Sequence, residues 1–393
     1  MNNMKAGAPA MINPEVEEQI LAGVDGIADE LIEAIRDIVR IKSVQEDPQP
    51  GAPFGPGVRQ ALDATLERCR NLGFETVDCD GYLGYASWGA GAGDGYACAM
   101  GHLDVVPEGT GWKEPPYSGF MADGTIYSRG VLDNKGPIYS CLYAAKVLKD
   151  LGLEPARELR IMFGCNEETG FGDLEYYLAH FEPPVTGFTP DCKYPVVYAE
   201  RGRAQVRMVP VASGECTAES LLEHFFAFVN TYILNAKPNG ERLGIDCVDE
   251  EFGALEVRNY RLDLADGVPA VEFAISYPAS ATCDGLMARL RDVAAREGFE
   301  VTLVKNFNPV RFERDCDLCR CLQYAYERVT GADGTPVTTT GGTYAKMMPN
   351  IVPFGPSFPG QKGIGHQPNE WMRVDDIIAN AKIYALALYL LTR

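Results

Sequence analysis

Apolar residues recur every three or four positions from Glu15 to Ile41, through Ile20, Leu21, Val24, Ile27, Leu31, Ile32, Ile35, Ile38 and Val39. That period predicts an amphipathic opening helix, with Gly23 and Gly26 as places where it could divide in two. The Pro- and Gly-rich stretch DPQPGAPFGPG at 47–57 predicts a loop, and VRQALDATLERCRNLGF a helix that stops near Gly73. GAGAG at 89–93 precedes the apolar strand YACAM instead of following a strand, so it reads as a loop or hairpin and not as a phosphate cradle. A helix through Ile138–Leu151 and the strand RELRIMFGC come next. Strand, helix, strand in that order predicts an α/β fold with a mostly parallel sheet. From about Gln205 to Phe307 the pattern changes to alternating segments, RAQVRMVPV and AVEFAISYP, with helices at 218–231 and 284–297. This block reads as a smaller inserted α+β domain at 204–306, with 1–203 and 307–393 forming the main domain. The helical patterns LCRCLQYAYERVTG and IIANAKIYALALYLL return the chain to the first domain.

Composition narrows the class. With 393 residues, 46% of them hydrophobic, the chain can bury two cores. A net charge of -20 repels phosphate backbones and anionic lipid, which sets aside nucleic acid and membrane surfaces as partners. The start MNNMKAGAPAMI has no apolar stretch of signal-peptide length, and no later run approaches a membrane span, so the expected compartment is the cytoplasm. The twelve scattered cysteines are then expected to be reduced thiols.

Several residues carry chemistry. His102 and Asp104 follow the YACAM strand with one residue between them, an arrangement that suits a metal-binding His with a carboxylate fixing its tautomer. Such a pair is also common in ordinary loops. Asp133, in RGVLDNKG, opens a helix next to a Gly-rich turn and, taken alone, reads first as a helix N-cap. Glu167 and Glu168 are adjacent carboxylates after the RELRIMFGC strand. Side by side they repel and suit an exposed loop, but beside a dication one could ligate while the other handles protons. His366 sits in a Gly/Pro-rich loop, a poor place for a buried structural imidazole. His180 reads as a helix C-terminal residue and His224 as a packed helix residue. Cys316, Cys319 and Cys321 lack the second ligand pair that a zinc site needs and read as helix packing.

GHLDVVP, RGVLDNKGP, NEETGFGD, GFTPDCKYPVVYAERG, TGGTYAKMMPNIVPFG and GHQPNEW occur in the order found in the M20 zinc peptidases, and the chain most resembles the PepV-like dipeptidases of that family. The similarity covers most of 15–203 and 307–393. It implies a zinc-peptidase catalytic domain, a lid domain inserted in it, and two Zn2+ ions, with Mn2+ or Co2+ as alternatives. His102, Asp133 and Asp191 would hold one ion, and Asp133, Glu168 and His366 the other, so that Asp133 bridges them. Three ligands per ion leave room for a bridging water acidified to a hydroxide nucleophile. Glu167 would be the general base and acid, with Asp104 orienting His102. Lys346 stands where these dipeptidases place an Arg that pairs with the substrate carboxylate, next to Gly341, Gly342 and Thr343. Asn134 replaces an Asp that is frequent in the family and is not a ligand.

One family feature is missing. The lid segment of the type Gly-x-x-Ala-His-Ala-Ser, whose His polarises the scissile carbonyl, is absent, and AERGRAQVRMVPVASG passes almost directly to AESLLEHFFAFVNTYI. His224, Arg258 or Arg261 would have to replace that donor. Two readings follow. One is an active dinuclear zinc dipeptidase or a related deacylase of N-acyl amino acids, monomer or homodimer, acting on a small peptide or N-acyl amino acid. The other is a degenerate relative that binds metal and a peptide-like ligand with little turnover.

Overall fold

A computed structural model describes residues 12–89, 95–212, 217–265 and 267–393. The GAGAG run, apart from its first residue, and most of the junction where the lid is shortened lie outside the described residues, as does all but the last residue of the N-terminal segment. The chain divides into two compact units: Met1–Tyr198, Glu313–Val337 and Thr343–Arg393 form the larger, and Ala199–Phe312 with Thr338–Gly342 the smaller. Ala199 and Glu200 belong with the smaller unit because they pair with Arg311 and Val310.

In the larger unit the opening amphipathic segment forms two helices, Pro14–Gly26 and Ala28–Val39. Gly23 lies inside the first helix, where it lets Val147 pack close, since a Cβ there would meet Val147 Cγ1 at 2.7 Å. The central sheet runs in the spatial order Glu75–Cys79, Leu83–Trp88, Glu158–Gly164, Tyr96–His102, Thr186–Thr189, Ile351–Pro353. From Glu158–Gly164 onward the neighbours are parallel, and the first two strands add an antiparallel hairpin at one edge. All seven residues of Tyr96–His102 are buried, as expected for a parallel strand covered on both faces. Two helices, Lys135–Asp150 and Val374–Leu391, pack on each other and on that strand. Ile138, Leu142, Ile383, Leu386 and Leu388 are fully buried there. Each contributes about 1.5–3 kcal/mol of burial, and Leu142→Ala would cost roughly 2–5 kcal/mol. No helix among the described residues is long and apolar enough to cross a membrane.

The smaller unit is a four-stranded antiparallel sheet in the order Glu256–Ala265, Val268–Tyr277, Gly202–Pro210, Phe299–Phe307, with helices Ala218–Val229 and Cys283–Arg296. Its core joins Val206, Met208, Phe273 and Ile275 from the strands to Phe225, Phe228, Leu286 and Leu290 from the helices. The strands Glu256–Ala265 and Phe299–Phe307 are absent from the pattern reading above. Both are edge strands with exposed apolar residues, Leu262, Leu264 and Val304, so the alternation that marks a half-buried strand is blurred.

Candidate metal centre

Three neighbouring parallel strands end together, and the chain segments leaving them carry the candidate ligands. His102 is the last residue of its strand and lies opposite Gly164 in the next one, which leads to Glu167 and Glu168. On the other side, Thr186–Thr189 leads to Asp191. This is the carboxyl end of an open α/β sheet, where ligands collect. Gly101 is required at the strand end because a Cβ there would lie 2.2 Å from Asn134 Oδ1.

Asp133 is not the helix cap. The cap position before Lys135–Asp150 belongs to Asn134, which makes no side-chain cap bond, and the Asp133 carboxylate turns into the site. One of its oxygens, Oδ1, lies 3.1 Å from His102 Nε2, and the other, Oδ2, 3.0 Å from His366 Nε2. His102 Nε2 is also 3.7 Å from Asp191 Oδ2, and His366 Nε2 is 2.9 Å from Glu168 Oε2. Two groups result, His102 with Asp133 and Asp191, and Asp133 with Glu168 and His366. Within each, the donor atoms lie no more than 4.8 Å apart, and Asp133 is common to both. His366 adopts a left-handed φ of 62°, a conformation uncommon for a non-glycine residue.

Asp104 is buried beside His102. Its backbone carbonyl accepts from His102 Nδ1 at 2.8 Å, while its carboxylate stands at 3.4 Å from that nitrogen. The carboxylate instead accepts the backbone N–H groups of Glu167 at 3.1 Å and Glu168 at 3.0 Å. The tautomer of His102 is therefore set chiefly by main chain, and the carboxylate places the Glu pair.

The carboxyl groups of this arrangement crowd one another. Burial, then Asp191, pushes Glu167 well above the ordinary carboxylate range. Burial and Asp133 push Asp191 and Glu168 up as well. Asp133 itself is held low, because its bonds to His102 and His366 outweigh its burial. Its partner His366 is correspondingly raised to about 11 by Asp133 and Glu168. Four carboxyl groups crowded around two imidazoles form a donor set that divalent cations fit, since each ion neutralises the repulsion that otherwise favours protonation.

Other candidates are placed separately. Thr343 and Lys346 belong to the larger unit, where Thr343 Oγ1 accepts from Ala345 N at 3.2 Å and caps the turn Tyr344–Lys346. Gly341 and Gly342 belong to the smaller unit. None of these four lines the cleft of about 350 Å3 that borders Asp133 and Asp191. His180 ends the helix Gly172–His180 and stacks on Tyr176. His224 lies edge-on to Phe299 in the smaller unit. There too Arg258 donates to the Thr340 carbonyl at 2.6 Å, while Arg261 is an exposed strand residue opposite Glu272.

Four supporting residues were not singled out in the sequence, and the weight of Asn134 was missed. Its amide donates to the Pro190 carbonyl at 2.6 Å and its Oδ1 accepts from His102 N at 3.3 Å, tying two strand ends together. An ionised Asp could not make the donor half of that link. Tyr344 donates its hydroxyl to Asp173, whose same oxygen accepts the N–H groups of Cys165 at 2.8 Å and Asn166 at 3.0 Å, just before the Glu pair. Buried Glu370 accepts from the Asp133 N–H at 3.1 Å and is paired with buried Arg129. All lie inside the motif strings, but only their contacts reveal what they do.

Residues 98–390 match the model of "Peptidase family M20/M25/M40". Among curated relatives, the "Putative dipeptidase YtjP" of Bacillus subtilis is 29% identical, with 93% of this chain and 98% of that protein covered. That alignment runs over 456 positions, more than the 393 residues here, so the relative carries residues with no counterpart in this chain. A "Putative dipeptidase" of Staphylococcus saprophyticus is 27% identical over 92% of this chain and 97% of its own. Among solved structures, human carnosine dipeptidase 1 superposes with a TM-score of 0.72 at 16% identity, covering 97% of this chain and all of that one (100%). The M20 family metallo-carboxypeptidase Sso-CP2 of Sulfolobus solfataricus gives 0.70 at 14% identity over 92% and 99%. These two establish a shared fold, with a catalytic and a lid domain. The matched span runs from the His102 strand into the final helix, and on that ground the chain belongs to peptidase family M20/M25/M40.

Proposed function

We propose that this family member is a metal-dependent dipeptidase that hydrolyses dipeptides or closely related small amides such as N-acyl amino acids. The observation that carries the reading is Asp133, whose two oxygens face two different imidazole and carboxylate sets. His102, Asp133 and Asp191 would hold one ion and Asp133, Glu168 and His366 the other. Two divalent cations bound there would supply Lewis acidity and water acidified towards neutral pH. Zinc suits the His and carboxylate donors, and manganese or cobalt are compatible with them.

Glu167 is the proton carrier. It stands next to Glu168 but in neither candidate ligand group, so it would be free to take a proton from the attacking water and pass it to the leaving amine. Asp104 keeps it in place through the backbone N–H. Lys346, on the Tyr344–Lys346 turn, would meet the substrate carboxylate as a point charge without the fork of an Arg. With the lid His missing, His224, Arg258 or Arg261 would have to supply a donor in its place, and His224 and Arg258 already contact Phe299 and the Thr340 carbonyl within the smaller unit. A proton carrier built next to the candidate ligands argues against a degenerate binder. We place the enzyme in the cytoplasm, as a monomer or homodimer.

A panel of dipeptides and N-acyl amino acids, incubated with zinc-reconstituted protein, tests the reading. Turnover of at least one class, abolished by a chelator and restored by zinc, is expected. No turnover of any member by protein that has bound two ions would leave the degenerate reading in its place.

A further inference from the structure

Glu370 is 1% exposed and so is Arg129, and the Glu370 carboxylate and the Arg129 Nη atoms bond to different parts of the site's frame. Glu370 Oε1 accepts two consecutive backbone N–H groups, from Leu132 at 2.8 Å and Asp133 at 3.1 Å. Its other oxygen, Oε2, accepts from Arg129 Nη1 at 2.7 Å. The Glu370 carbonyl in turn accepts the Ser128 N–H at 3.0 Å. Arg129 continues outward, Nη1 to the Gln367 carbonyl at 3.3 Å and Nη2 to the carbonyls of Pro107 at 3.4 Å and Glu108 at 3.3 Å. Its guanidinium stands 5.4 Å from the ring of Trp112.

The pair thus knits three segments: the one that presents Asp133, the one that leaves His102 and Asp104, and the one that carries His366 four residues before Glu370. A buried ion pair is seldom a net source of stability, because desolvating both charges offsets their attraction, and apolar isosteres frequently do as well. The bonds to Leu132 and Asp133 give this one another use. Asp133 has to direct one oxygen at each imidazole at once, and a small rotation of its backbone would aim both away. A main-chain clamp on Asp133, made by a residue of the His366 loop, removes that freedom.

From this we propose that Glu370, held by Arg129, is a positioning residue that locks Asp133 in its two-sided orientation and so sets the affinity of both ion sites. The proposal rests on the reading of Asp133 as the shared ligand. Supporting residues of this kind are worth roughly 10–100-fold in metal affinity.

The test uses the full chain and Zn2+ as probe, in competition with a chromophoric chelator, alongside thermal unfolding of the metal-free protein. Arg129→Met with Glu370→Leu removes both charges and the acceptor together, leaving no buried charge unpaired. Because the N–H groups of Leu132 and Asp133 lose their acceptor, it is expected to unfold below the wild-type temperature but still fold, and to bind zinc roughly 10–100-fold more weakly at both sites. Arg129→Met with Glu370→Gln keeps a carbonyl oxygen for the two N–H groups and is expected to regain most of that affinity. Should the Leu pair be too unstable to purify, Arg129→Met with Glu370→Gln is set against Arg129→Met with Glu370→Met, which keeps the length of the side chain but not the acceptor. Wild-type zinc affinity in the variants without the acceptor, or equal losses with and without it, would overturn the proposal. Wild-type protein that fails to take up two ions would overturn the reading of the centre instead.

Discussion

Asp104 grips Glu167 by its backbone: the N–H of Glu167 donates to Asp104 Oδ1 at 3.1 Å, and the next N–H, that of Glu168, donates to Oδ2 at 3.0 Å. Asp104→Asn retains only one oxygen for these two donors. The link from His102 Nδ1 to the Asp104 carbonyl at 2.8 Å is untouched by the change. Turnover should therefore fall on the order of 10²-fold through misplacement of Glu167, with both ions kept. Metal analysis beside kcat checks this, and loss of metal ahead of activity would mean that Asp104 serves His102 first.

The adjacent glutamates should separate by readout. Glu168 approaches His366 at 2.9 Å and belongs to a ligand group, whereas Glu167 belongs to neither. Glu167→Gln is expected to retain two ions and lose about 10²- to 10⁴-fold in kcat. Glu168→Gln is expected to lose one ion. Equal metal loss in both variants would show that the two carboxylates share one job.

How much of this was legible beforehand varied with the kind of interaction. Helix and strand periods locate most elements, since Leu31, Ile35 and Ile38 can share a face only in a helix, and the candidate ligands are those that the family resemblance of the motif strings implies. The contacts that organise the ligands were not legible. Asn134 reads as a minor variation until its amide is seen to donate to Pro190, and Glu370 lies in a quoted motif without any hint that it holds Asp133. Both act through backbone groups, which have no signature in side-chain identity. The cap reading of Asp133 failed for a related reason: a carboxylate just before a helix looks the same whether it turns to the helix or away from it.

Lys346 tests substrate recognition. If the Tyr344–Lys346 turn presents it to the substrate carboxylate, Lys346→Met should raise KM for free dipeptides about 10-fold or more, the loss of one charge-assisted contact, and leave amidated dipeptides unaffected. Steady-state kinetics on matched pairs decide the matter, and an equal loss on both would move the anchor elsewhere.

Glu17 gives a pH dependence unconnected with metal. It is buried in the first helix and accepts from Tyr324 at 2.6 Å and from Arg328 Nε at 2.9 Å. Burial would raise its carboxyl, but Arg328 and Tyr324 outweigh that, and the net shift is below the ordinary 4.5. A depressed carboxylate stabilises the fold above its unfolded value and loses that contribution as pH falls through the folded one. Glu17→Gln should thus be less stable than wild type above pH 4.5, with the difference shrinking as the pH drops further. Urea midpoints across the acid range measure it, and a difference independent of pH would contradict the assignment.

The claim that matters most is that Asp133 is shared by two ions. Anomalous diffraction from zinc-loaded crystals, recorded on both sides of the zinc edge, tests it directly. The account predicts two peaks flanking the Asp133 carboxylate, roughly 3.5–4 Å apart, one beside His102 and Asp191 and the other beside Glu168 and His366. A single peak, or a pair that leaves Asp133 bound to one ion only, would contradict it.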